Sequence, residues 1–75
     1  MRVVSQAGDI DLPYENTIMK RHESSILAQD VHSGSVYLIG EYSTVEQAKA
    51  EFVRVLEYYH HGGRTIQLRN DGVRP

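Results

Sequence analysis

The chain has no cysteine and no tryptophan, and only one phenylalanine and two prolines among its 75 residues. Without cysteine, neither a disulfide framework nor a thiolate zinc site can form. The absence also fits a cytoplasmic setting, where thiols stay reduced. No apolar run approaches the ~20 residues of a membrane-spanning helix. The opening MRVVSQAGDIDL has no long apolar core, so no signal peptide is expected. The net charge is -2 and the pI about 6.0, without the positive surplus of a protein that coats nucleic acid.

What remains is one domain, 1–75, with a tail at 70–75 expected to fray. A domain of this size buries only about 60% of its unfolded surface, and small domains commonly add a staple or a partner. With disulfides excluded, the remaining routes are a well-packed core, an oligomer, or a site built from histidines and carboxylates.

The first 42 residues read as short strands separated by turns. MRVVSQ ends at the Ala7-Gly8-Asp9 turn. IDLPY alternates Ile10, Leu12 and Tyr14 on one side, and Pro13, which has no N–H to donate, places it at an edge, a strand start or a bulge. Glu15-Asn16 reads as a turn, TIMKRH as a strand, HESS as a turn, ILAQDV as a strand and HSGS as a turn. VYLIGEY, rich in β-branched and aromatic residues, is the strongest strand. The period then changes. Val45, Ala48, Phe52, Val55 and Tyr59, widened by Leu56, form one apolar face of a helix from about Thr44 to His60. Ser43 to Glu46 fits a capping box, and Glu46 suits the positive end of the helix dipole. TIQL makes a short last strand.

The segment YYHHGGRT at 58–65 has a structural account: the histidines occupy the last turn and the glycines end the helix and reverse the chain. A metal site would need Glu57 and His61, four apart, plus His22 or His32, and nothing in the sequence requires that. A phosphate loop is disfavoured, because phosphate-binding glycines precede a helix N-terminus whereas these follow a C-terminus.

Val3-Val4, Ile18-Met19, Ile26-Leu27 and Leu38-Ile39 are apolar neighbours within expected strands. Successive strand side chains point to opposite faces, so both faces of the sheet carry apolar groups. One helix covers one face, and the other would expose more apolar surface than monomers usually do. The cover is expected to be a second copy of the chain; the competing reading is a strongly curled, self-covering sheet.

No catalytic motif is present. Ser5, Ser24, Ser25, Ser33, Ser35 and Ser43 lie in turns, edges or the cap, and none sits in a nucleophile elbow. Asp9 and Asp11 flank a turn without further ligands at metal-loop spacing, and Glu23, Asp30 and Glu41 stand singly. The chain reads as a non-enzyme with no cofactor and no metal. Lys20, Arg21 and His22 charge one strand, which discourages edge pairing. If a small anion is bound, the residues to expect are Arg64, Arg69, His60 and Tyr14: arginine forks for the charge and an aromatic ring for stacking.

MRVVSQAGDIDLPYENTIM, then LIGEYSTVEQAKAEFVRVLEYY, then TIQL resembles a family of short proteins, mostly without assigned activity, encoded by phages and prophages of Gram-positive bacteria. The matching pieces are Ser5-Gln6, Asp11 to Thr17, Gly40, Tyr42-Ser43-Thr44, Glu46 and Ala48. They are turn, cap and helix-face residues, so the likeness speaks for fold and origin. RNDGVRP stands where that family would carry an acidic tail. The resemblance implies stoichiometric binding in the host cytoplasm, of a host factor such as a defence protein or of a small nucleotide-like anion. The alternative is a passive structural phage component. The expected architecture is α+β: an antiparallel sheet of about five strands with one amphipathic helix packed on one face.

Overall fold

A computed structural model describes residues 1–70 of the chain. The order is β1 (Arg2–Val4), β2 (Asp11–Pro13), a 3-10 turn (Tyr14–Asn16), β3 (Thr17–His22), β4 (Ser25–Asp30), β5 (Val36–Glu41), α1 (Val45–His60) and β6 (Thr65–Gln67). The tail expected to fray lies outside the described residues beyond Asn70. Among the described residues, no helix is long and apolar enough to cross a membrane.

The α+β class stands, but the single antiparallel sheet does not. There are two three-stranded sheets, β2-β1-β6 and β3-β4-β5. The second is antiparallel throughout; the first is mixed, with β1 antiparallel to β2 and parallel to β6. Two local causes divide them. Pro13 ends β2, and the 3-10 turn after it redirects the chain before β3 begins. Thr17 fixes that corner by donating from Oγ1 to the Pro13 carbonyl at 2.7 Å. The parallel pair needs a long crossover, and the second sheet plus α1 supply it.

The core lies where the sheets and the helix meet. Val3, Leu12 and Ile66 come from one sheet, Ile26, Ala28 and Ile39 from the other, and Ala48 and Val55 from α1, with Tyr42 and Leu68 closing the seam. Helix α1 lies against β3 and β4, covering one face of their sheet. Its cap sits one residue later than Ser43. Thr44 is the N-cap and its Oγ1 accepts from the Gln47 N–H at 3.1 Å, while Ser43 donates its hydroxyl to Gln47 Oε1 at 2.9 Å. The C-terminus explains HHGG. His61 is the C-cap, Gly62 takes φ 82°, and the N–H groups of Gly62 and Gly63 donate to the carbonyls of Tyr59 and Tyr58. These two bonds form a Schellman close. Gly63 also has to be glycine, since a Cβ there would fall inside the Tyr58 ring.

The two sheets are joined by Gln6. Its backbone N–H donates to the Ile39 carbonyl at 2.8 Å. Its side-chain amide donates to the carbonyls of Glu41 and Arg69, both at 3.1 Å, and accepts from the Glu41 N–H at 2.8 Å. One amide thus bonds β5 in the manner of a neighbouring strand and also reaches the segment after β6. Just before it, buried Ser5 closes the β1–β2 connection by accepting from the N–H groups of Asp9 and Ile10. Replacing Gln6 with Leu removes three hydrogen bonds at a half-exposed site and should cost about 1–2 kcal/mol. Gln6→Glu should also destabilise, because a carboxylate accepts from Glu41 but cannot donate to either carbonyl. Urea unfolding tests this; a Gln6→Leu midpoint equal to wild type would show that the seam holds without the amide.

Candidate functional site

The four residues expected to hold an anion do not meet in one place. Tyr14 opens the 3-10 turn, and its ring lies 4.6 Å from that of Tyr59, tilted by 40°. Burial raises the Tyr14 hydroxyl above its ordinary pKa, with Tyr59 and Glu15 adding to the effect. His60 ends α1, exposed, with its ring edge-on to His61 at 5.5 Å. Arg64 is exposed, and its carbonyl accepts from the Arg2 N–H at 2.7 Å. These three belong to the end of the molecule where Met1 meets Glu15 at 2.6 Å. Arg69 lies beyond the far end of β6, roughly 16 Å along an extended chain from Arg64. Among the described residues, no group of three or more histidines and carboxylates is gathered to hold a metal ion.

Arg69 is engaged elsewhere. Glu51 is buried on the core side of α1 and accepts five hydrogen bonds. Two come from the Arg54 guanidinium, at 3.0 and 2.5 Å. Two come from the Arg69 guanidinium at 3.2 Å, and one from the Arg69 backbone N–H at 2.7 Å. Arg54 also donates to the Gln67 carbonyl at 2.8 Å. Burial pushes the Glu51 carboxyl up, but the Arg54 hydrogen bonds, the Arg69 N–H and the two positive charges together bring it below its ordinary value. A shallow hollow of about 280 Å³ lies over this cluster, bounded by Tyr42, Gln47, Ala50 and Asn70. The cluster therefore acts first as a clasp between α1 and the strand end.

Sequence reading passed over Glu51, Arg54 and the side chain of Gln6. For Glu51 a signal existed: it falls between Ala48 and Val55 at spacings of three and four, inside the apolar stripe. A carboxylate at such a position needs a cationic partner. Nothing local marked Gln6, whose partners lie 35 and 63 residues away.

The other candidate site is the outer face of β3-β4-β5, the side away from α1. Strand alternation and pairing put three rows there: His22, Ser25 and Glu41; Lys20, Leu27 and Leu38; Ile18, Gln29 and Val36. Val31, in the turn after β4, is also exposed. A bulge in the β4–β5 pairing leaves Ile39 and Gly40 both turned to the core, which returns Glu41 to the outer side before buried Tyr42. Ile18, Val31, Val36 and Leu38 are 46%, 49%, 56% and 49% exposed, and Leu27 is half-buried between them. This is the uncovered second face anticipated from the paired apolar residues, and the sheet does not curl to hide it. The edges of the same sheet are guarded. Lys20, Arg21 and His22 charge the β3 edge, and Gln6 occupies the β5 edge at Ile39 and Glu41.

No protein-family model, curated protein or solved structure matches this chain.

The Glu51 clasp makes a pH-dependent prediction. Its folded-state pKa is depressed, so its contribution is fully present above the unfolded carboxyl value and is lost as pH falls through the lower folded value. Glu51→Gln should cost about 2 kcal/mol near neutrality, where a charged partner set is left facing an amide. The gap between the two proteins should narrow as pH falls from about 5 to 3. Urea midpoints of both proteins across that range check this; a pH-independent gap would assign the loss to packing.

Proposed function

We propose that this chain is a small non-catalytic binding protein that acts by stoichiometric association through the outer face of β3-β4-β5. The observation that carries this reading is the group of three aliphatic side chains, Ile18, Val36 and Leu38, each about half exposed on one sheet face that α1 does not cover, with no other described part of the chain packed over it. Such a patch on a small domain marks a contact surface. Its partners in this reading are a second copy of the chain and, following the resemblance to short phage-encoded proteins, a host protein in the cytoplasm that it occupies and blocks. Binding of a nucleotide-like anion has less support, because Arg69 is committed to Glu51 and stands apart from Tyr14, His60 and Arg64. Ser5, Thr17, Thr44 and Glu51 are engaged in a turn, a corner, the helix cap and the clasp, and we assign no acid–base pair or nucleophile among the described residues.

Native mass spectrometry of the purified protein, beside a Val36→Glu/Leu38→Glu variant, tests the reading. The wild type should show a dimer or larger species with no small molecule released on denaturation. The variant should be a folded monomer, since both positions are exposed and the charges burden only an interface. A wild type that stays monomeric, or an assembly that the two glutamates leave intact, would remove this face as the working surface.

A further inference from the structure

We draw no further inference here: the strongest candidate, the outer face of β3-β4-β5 with Ile18, Val36 and Leu38 exposed on it, carries none, because nothing in the structure shows what covers it.

Discussion

One buried carboxylate organises much of this small protein. Glu51 sits on the core side of α1, where ten buried apolar side chains among the described residues hold the fold together. Removing a carboxylate from water is costly, and the cost is offset only when its lone pairs are filled by well-aligned donors. Arg54, one turn along the same helix, supplies a bidentate pair. Arg69 supplies the rest from the chain segment after β6. The rotation of α1 follows from this. With Glu51 turned inward between Ala48 and Val55, Leu56 and Tyr59 move to the rim and remain nearly half exposed. The fate of β6 follows too. It is three residues long and pairs in parallel, so its own ladder is weak. The Arg69–Glu51 bonds and the Arg54–Gln67 bond pin its end to the helix.

A second constraint is the division into two small sheets, neither of which could stand alone. Gln6 supplies the polar part of the seam and Tyr42 strengthens it by donating its hydroxyl to the Arg69 carbonyl at 2.9 Å. Both contacts converge on the segment that Glu51 holds, so the seam and the clasp share Arg69. Other polar and aromatic residues complete this framework: Ser5 closes a turn, Gln6 bridges the sheets, Tyr14 packs on Tyr59, Thr17 fixes a corner and Thr44 caps the helix.

The legible part of this protein was the local part. Strand alternation, turn glycines and the change of period at Val45 gave the succession of strands along the chain and the helix to within a residue or two. The same local reasoning placed the cap one residue early, because Ser43 and Thr44 are chemically alike and only the bond to Gln47 separates them. The single five-stranded sheet failed for a non-local reason. Whether β1 pairs with β6 in parallel depends on where a helix delivers the chain, and no spacing within either strand encodes that. Of the candidate site, the uncovered face was visible as adjacent apolar pairs. The anion residues were chosen by chemistry alone, and chemistry does not reveal that Arg69 already has a carboxylate.

The guarded edges and the open face together determine what kind of assembly the fold allows. A sheet with free edges adds strands without limit, and an apolar edge would lead to filaments. Here the β3 edge is charged, the β5 edge is taken by Gln6, and the outer strands of the other sheet are only three residues long, one of them ending in Pro13. Apolar surface is left over on that face and also along α1, where Val53, Leu56, Tyr58 and Tyr59 are exposed. In the proposed reading, a contact made by the same sheet face on both partners would use up that face, so association through it would close at two copies instead of propagating. A chain not paired with a copy of itself would offer the same face to any other partner of matching shape. Self-association and capture of a different protein would then compete for one surface, and the concentration of the chain itself would set how much of that surface is open.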